Sequence, residues 1–296
     1  MEKIIDLHIH TTVSDGALTP KQVIDEAVKN GVDTIAIADH DTIDAYTEEL
    51  LNYAKEKKIN LIPAVEISTK NKKCGIHVLG YNIDIYSEKF KDKLAILRNA
   101  RHDYLFAVAS KLEELGYILN VEELDKVEAV TKAHIALDVV NNPNNKELLL
   151  ENFGHIPNKG EFIETIMNES CPAYVKKASI TPNEAAELIR NAGGKVVLAH
   201  PVAYVYEDGL NEEDILSLVE DMNPYGIEAN YIYVDRNDKK INDIEIWNAF
   251  AKKHHLRTTV GSDFHNQDGI RPVIGLLNED LKDMNASEIL ENLCKE

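Results

Sequence analysis

The sequence predicts an α/β fold, an irregular barrel interrupted by an inserted helical subdomain. Two observations carry that prediction. Apolar runs of strand length alternate with amphipathic helical runs at both ends of the chain, and between residues 87 and 176 the alternation stops and helical patterns dominate. About seven strand–helix units are split around the insertion, so residues 1–86 and 177–296 are assigned to the barrel and 87–176 to the insert. A doubly wound open sheet uses the same units, and periodicity does not separate the two. With 296 residues, 44% hydrophobic and 28% charged, the chain is long enough for one such barrel or two modest domains.

The elements follow in order. "KIIDLHIH" (3–10) is a strand by its period of two. "TPKQVIDEAVKNG" (19–31) is a helix: Thr19 caps it, Pro20 suits its first turn, Gln22 completes a capping box and Gly31 closes it. "DTIAIADH" (33–40) is the next strand and "DTIDAYTEELLNYAKEKK" (41–58) the next helix, followed by the strands "INLIPAVEIS" and "GIHVLGYNI". The insert opens with the long helix "EKFKDKLAILRNARHDYLFAVASKLEELG". Alternation then resumes with "TPNEAAELIRNAGG" as a capped helix, "KVVLAH" as a buried strand, "NEEDILSLVEDM" as a helix and "YGIEAN" as a strand. "NDIEIWNAFAKKHH" is a helix, "RTTVGSDFH" ends a strand and "ASEILENLCK" is the last helix. This rhythm argues for a mostly parallel sheet with helical crossovers.

Composition excludes some functions. No stretch approaches the roughly 18–20 uncharged apolar residues of a membrane span. "MEKIIDLHIH" lacks the basic and apolar regions of a signal peptide, so a cytoplasmic protein is expected, with no membrane partner. Cys74, Cys171 and Cys294 are widely spaced and odd in number, which fits reduced structural thiols better than a zinc knuckle or a disulfide framework. A net charge of -19 opposes long duplex nucleic acid, whose binding neutralises many phosphates. Small anions are still admitted where a local cation site offsets the field.

The unusual residues fall at strand ends. Alternation places Asp6, His8 and His10 on one face of the first strand, and two imidazoles two residues apart can bind one cation. Asp15 follows directly. Asp39, His40 and Asp41 end the second strand, Glu66 lies in an apolar strand, and His77 interrupts another. His200 ends "VVLAH", and Asp263 and His265 end "TVGSDFH". In parallel α/β barrels the carboxyl ends of strands form the functional face. Nine of these residues, His8, His10, Asp15, His40, Glu66, His77, His200, Asp263 and His265, exceed the needs of one ion and suit two or three divalent ions, with a carboxylate such as Glu66 bridging. Paired ions clamp an in-line displacement at phosphorus and acidify a bridging water. The absence of sulfur from the set admits manganese, iron or zinc.

The ordered segments "HIHTTVSDG", "ADHDT", "VEIS", "GIHVLGY", "LAHP" and "GSDFH" resemble the PHP family, named for polymerase and histidinol phosphatase domains. That resemblance runs over essentially the whole chain. It implies a distorted (β/α)7 barrel with a trinuclear metal centre that hydrolyses phosphoesters by attack of a metal-bound hydroxide. It also implies metal-binding and catalytic roles by position: His8, His10, Glu66 and Asp263 for one ion, Glu66, His77 and His200 for a second, and Asp15, His40 and His265 for a third. The segment from "TKAHIALDVV" to "LAHP" is similar to the branch of nucleoside 3',5'-bisphosphate phosphatases and short-RNA 5'-exonucleases. Members of that branch commonly read Gly-Arg-Pro-His where this chain has Thr131, Lys132, Ala133 and His134, and lysine keeps the charge but loses the bidentate fork of arginine.

The expected substrate is therefore a nucleoside 3',5'-bisphosphate or the 5'-phosphorylated end of a short single-stranded RNA or DNA. Histidinol-phosphate phosphatase and metal-dependent amidohydrolase are the alternatives, and a non-enzymatic polymerase-type module is disfavoured by the complete donor set. In the insert, Leu94, Leu97, Leu105, Val108, Leu112 and Leu115 form an apolar stripe that includes Arg101. Arg101, Lys132 and His134 are expected to bind a second phosphate; Lys176 and Lys177 are read as a solvated pair, with joining that site as their alternative, and an arginine snorkelling from a helix seam is the alternative for Arg101. Glu228 and Asn230 share a strand face and are expected to support the metal ligands. His102, His155, His254 and His255 are read as surface residues.

Overall fold

Strand β1 (Ile5–Ile9) is buried along its whole length, as is β2 (Thr34–Ile37), which pairs with it in parallel. This computed structural model describes residues 3–125, 127, 130–176, 179–235, 238–267, 269–270, 272–275 and 284–294, without the side chains of Arg101 and Cys294. Strands β3 (Asn60–Lys70), β4 (Gly75–Tyr81), β5 (Lys195–Leu198) and β6 (Gly226–Asn230) continue the sheet. A two-stranded hairpin, β7 (Tyr233–Val234) and β8 (Lys240–Ile241), follows, and β9 (Arg257–Val260) is the seventh strand of the main sheet. The sheet then curls back on itself: Ile9 and Phe264 form a parallel bridge, and the His10 N–H donates to the Phe264 carbonyl at 2.9 Å. This is the distorted barrel; an open doubly wound sheet is not what forms.

The sheet is mostly parallel, and β4 is the exception, running antiparallel to both β3 and β5. Only residues 71–74 separate β3 from β4, too few for a helical crossover, so the two close as a hairpin. His77 therefore lies near the start of its strand, and the reversal carries it to the rim where the other strands end.

Helix α1 (Pro20–Lys29) begins as the sequence predicts, with the Thr19 side chain and Gln22 forming a reciprocal capping box. Helix α2 (Glu48–Lys57) is shorter than predicted: Thr47 caps it, and residues 41–47 form turns. Asp41 holds a φ of 50°, which starts no helix. Helix α3 (Glu88–Glu114) enters the inserted region. It is followed by α4 (Val121–Asp125), α5 (Lys132–Asn141), α6 (Lys146–Phe153) and α7 (Lys159–Phe162). Helix α8 (Pro182–Asn191) has the capping box of Thr181 and Glu184. Helix α9 (Pro201–Asp208) follows β5, α10 (Glu212–Met222) precedes β6, α11 (Ile244–Lys253) precedes β9, and α12 (Ala286–Cys294) ends the chain.

Two compact units result, Met1–Leu94 with Ile180–Glu296, and Ala95–Ser179. The core of the first gathers Ile5, Leu7, Ala36, Ile62, Leu79 and Val197, with Ile289, Leu290 and Leu293 of α12. The second has its own core, in which Leu105, Val108 and Leu112 of α3 meet Ile135, Val139 and Phe162; Leu115, at the end of the predicted stripe, is exposed. Cys74 and Cys171 are free thiols, and the side chain of Cys294 lies outside the described residues. Among the described residues no helix is long and apolar enough to cross a membrane.

Tyr46 fixes the junction of β2 and β3. Its buried hydroxyl receives the N–H groups of Ile37 at 3.1 Å and Ala64 at 2.9 Å, with the carbonyls of Ile37 and Ile62 at 2.7 and 2.8 Å. Tyr46→Phe leaves those groups short of a partner and is expected to cost about 1–3 kcal/mol. A lowered denaturant midpoint, with an unchanged far-UV spectrum, checks this.

Candidate metal centre

All nine predicted donor residues meet at one rim of the barrel. His8 lies in β1 and His10 directly follows it, and both are fully buried. The turn after them is fixed by Asp39, whose carboxylate accepts from the Thr11 N–H at 2.7 Å, the Thr11 hydroxyl at 2.7 Å and the Ser14 hydroxyl at 2.6 Å. That clamp sets Asp15, whose Oδ1 is 3.4 Å from His10 Nδ1 and 3.4 Å from His265 Nε2. His40 follows β2 and bridges to Glu66 of β3, which is only 1% exposed.

Glu66 is the centre of the cluster. Its Oε2 lies 3.4 Å from His8 Nε2, 3.2 Å from His10 Nε2 and 3.1 Å from His40 Nδ1. Its Oε1 lies 3.1 Å from His77 Nδ1 and 3.2 Å from His200 Nε2. Asp263 Oδ1 lies 3.4 Å from His8 Nε2 and 3.2 Å from His10 Nε2. Three groups of donors are compact enough to hold an ion: His8, His10, Glu66 and Asp263; His10, Asp15, His40 and His265; and His40, Glu66 and His77. The first matches the set that the resemblance implies. The second adds His10 to the implied set, and the third places His40 where His200 is implied, with His200 touching Glu66 beside it.

The chemistry of these donors fits divalent cations. Two ligands at about 2.0–2.2 Å from one ion, at tetrahedral or octahedral angles, lie about 3.0–3.5 Å apart. The five separations linking His8 Nε2 and His10 Nε2 to each other and to Glu66 Oε2 and Asp263 Oδ1 run from 3.1 to 3.4 Å. His8 Nε2 faces His10 Nε2 while His8 Nδ1 is held by Glu228 at 3.0 Å, which directs an Nε2 lone pair inward. Glu228 also accepts the His200 backbone N–H at 3.0 Å and is fully buried.

Electrostatics point the same way. Burial pulls His10 down, but the hydrogen-bonding carboxylates of Asp263 and Glu66 outweigh it and lift it to about 10. Burial likewise opposes His8, and Glu228, Glu66 and Asp263 raise it well above the ordinary range. Burial raises Glu66 and Asp263, yet their imidazole neighbours hold both well below the carboxylate range. His40 is lowered, chiefly by burial. The cluster as a whole draws positive charge into a buried place, which is what bound cations supply.

Residues 6–192 match the PHP domain. This chain belongs to the PHP family. A 5'-3' exoribonuclease from Haemophilus influenzae is 32% identical over 90% of this chain and 91% of its own length. A 3',5'-nucleoside bisphosphate phosphatase from Chromobacterium violaceum is 27% identical over 88% of this chain and 87% of its own. The fold is similar to the crystal structure of a candidate metal-dependent phosphoesterase from Bifidobacterium adolescentis, with a TM-score of 0.69 at 21% identity over 98% of this chain and 95% of that one. As a PHP protein the chain is a metal-dependent phosphoesterase, a hydrolase of phosphoric esters.

Lys132 and His134 lie in the Ala95–Ser179 unit at the start of α5. Lys132 Nζ donates to Asn168 at 3.1 Å, and His134 Nδ1 accepts the Thr131 N–H at 3.2 Å in a capping box. Lys176 is exposed, and Lys177 and the Arg101 side chain lie outside the described residues. Asn230 bonds Thr259 and Asn248 rather than a donor of the cluster. Residues to which the sequence reading gave no role also shape the centre: Asp39 through the Thr11–Ser14 turn, Tyr204, whose hydroxyl accepts the His77 N–H at 2.8 Å, and Tyr231, which bonds Asp263.

Glu228→Gln keeps the side-chain shape but removes the charge facing His8. Metal affinity is expected to fall by roughly 10–100-fold. Metal content after dialysis against a defined manganese buffer checks this.

Proposed function

We propose that the chain hydrolyses nucleoside 3',5'-bisphosphates or removes nucleotides from the 5'-phosphorylated ends of short oligonucleotides. The observation that carries the reading is the set of five imidazoles around the buried Glu66 carboxylate. The exoribonuclease and bisphosphate phosphatase relatives, each aligned over most of this chain, support the substrate class.

His8, His10, Asp15, His40, Glu66, His77, His200, Asp263 and His265 would hold two or three divalent ions, the donor groups sharing His10, His40 and Glu66. Nitrogen and oxygen donors without sulfur suit manganese, iron or zinc. Such ions would draw charge from phosphate oxygens and acidify water enough to attack phosphorus at neutral pH. The chain's own residues arrange that chemistry. Glu228 fixes the His8 ring and the His200 backbone, and Asp39 fixes the turn that presents Asp15. A cavity of about 210 Å³ opens beside His77, His200, Asp263 and His265, walled by Tyr231 and Glu207. That volume is below the roughly 300–1,000 Å³ of pockets that enclose a whole ligand, so it suits the phosphorylated end of a substrate. A net charge of -19 disfavours long duplexes and leaves short ends as partners.

Manganese-loaded protein is expected to release phosphate from 3'-phosphoadenosine 5'-phosphate, or nucleotides from a 5'-phosphorylated short RNA, at least about tenfold faster than phosphate from histidinol phosphate. Preference for histidinol phosphate would reverse the substrate assignment. Lys132→Ala tests a second-phosphate role: KM should rise for the bisphosphate and not for a monophosphate.

Asp263 has a φ of 52°, a conformation that asparagine also tolerates, so Asp263→Asn should fold normally. Its turnover should fall by more than the roughly 10–100-fold that loss of a supporting partner costs. Turnover retained with full metal content would exclude Asp263 from the reaction.

A further inference from the structure

We propose that Tyr231 is the positioning residue for Asp263: its hydroxyl occupies one carboxylate oxygen and leaves the other facing His8 and His10. The inference rests on the reading of Asp263 as a metal ligand. The Tyr231 O–H donates to Asp263 Oδ2 at 3.1 Å, while Oδ1 of the same carboxylate lies 3.4 Å from His8 Nε2 and 3.2 Å from His10 Nε2. The two oxygens are thus divided between two tasks.

Asp263 requires such a partner. It follows the end of β9 at a φ of 52°, outside the strand geometry that would set its side-chain direction. His265 holds its main chain, the Nδ1–H donating to the Asp263 carbonyl at 2.9 Å, and the same nitrogen lies 3.6 Å from Oδ1, but neither contact addresses Oδ2. Tyr231 supplies the bond to Oδ2 from the end of the neighbouring β6, one residue beyond Asn230. Its ring is itself restrained, lying 5.4 Å from the His200 ring at 44°, on the wall of the cavity beside the donors. A phenol suits the task because it donates without bringing a positive charge into a site that must accept cations. A lysine at the same place would form a tighter pair with Asp263 and compete with the metal.

Tyr231→Phe keeps the ring and removes only the donor. Manganese titration of metal-free protein by calorimetry, beside steady-state kinetics, tests the proposal. Expected are an affinity weaker by about tenfold, a kcat that falls at limiting manganese and recovers in excess, an unchanged KM and an unchanged far-UV spectrum of the metal-free protein. In an Asp263→Asn background the same change should weaken manganese binding no further, because the two residues act as one unit. Wild-type affinity in Tyr231→Phe overturns the proposal. A raised KM with unaltered manganese binding also overturns it, since the hydroxyl would then address substrate. A persistent effect in the Asp263→Asn background would place its action elsewhere. A wild-type chain that takes up no divalent ion overturns the reading of Asp263 and this inference together, whereas metal uptake unaffected by Tyr231→Phe removes the inference alone.

Discussion

A carboxylate with 1% exposure has to be neutralised where it stands, and much of this barrel is arranged around that requirement at Glu66. β3 changes partners along its length, pairing in parallel with β2 through Pro63 and antiparallel with β4 from Ala64 onward. Glu66 lies just past the change. His40 reaches it from the turn after β2, and His77 reaches it across the hairpin, opposite Ser68 on the same face. A uniformly parallel barrel would offer no strand start at this rim. The antiparallel strand is therefore the departure from regularity that completes the donor set.

Three strained positions and the contacts that support them lie at the same rim. Asp41, His200 and Asp263 all adopt positive φ without being glycine, and each lies just after a strand of the sheet. Such conformations cost on the order of 1–3 kcal/mol each and persist where surrounding contacts enforce them. Those contacts are visible. Asp41 Oδ1 accepts the Ser68 N–H at 2.9 Å, Glu228 accepts the His200 N–H, and His265 holds the Asp263 carbonyl. Beneath them the buried Asp6, raised to about 6 chiefly by burial, accepts the N–H groups of Ser262 and Gly275 and ties the end of β9 to β1. Gly261 is needed in this crowded place, since a Cβ there would lie 2.2 Å from the His8 Cβ and 2.4 Å from Glu228 Oε1. The donors are held by a rigid frame, which suits ligands that must keep their separations whether or not an ion is bound.

What could be read from the sequence was local. The capping boxes at Thr19 and Thr181 depend on residues three apart, and the strand ends bearing His8, His40, Glu66 and Asp263 stand out because polar groups interrupt apolar runs. Strand direction was not legible from the strand itself, because an apolar run reads the same whichever way it pairs. The short connection from Lys70 to Gly75 was the available signal. The overlong second helix failed for the opposite reason: "DTIDAY" has helical composition, but Asp41 is drawn into a bond with Ser68 that only the folded sheet provides. Tyr231 and Asp263 are 32 positions apart, and no periodicity links them. His134 illustrates a residue type with two readings, since a ring nitrogen suited to a phosphate also completes a capping box with Thr131.

The charge balance explains why ions and substrate must act together. Among the described residues lining the cavity beside the cluster there is no lysine or arginine, whereas Glu66, Glu207 and Asp263 are present. The chain as a whole has a net charge of -19, so the surrounding field also opposes an anion. The carboxylates of that wall disfavour an anion, and the imidazoles beside them offset part of that charge. Divalent ions would reverse the local sign, and a phosphate would in turn screen those ions from one another. Each ligand therefore strengthens the other by the same factor, as linkage requires. Donors that would hold the ions also line the cavity, so bound ions would act on substrate binding and on reactivity together.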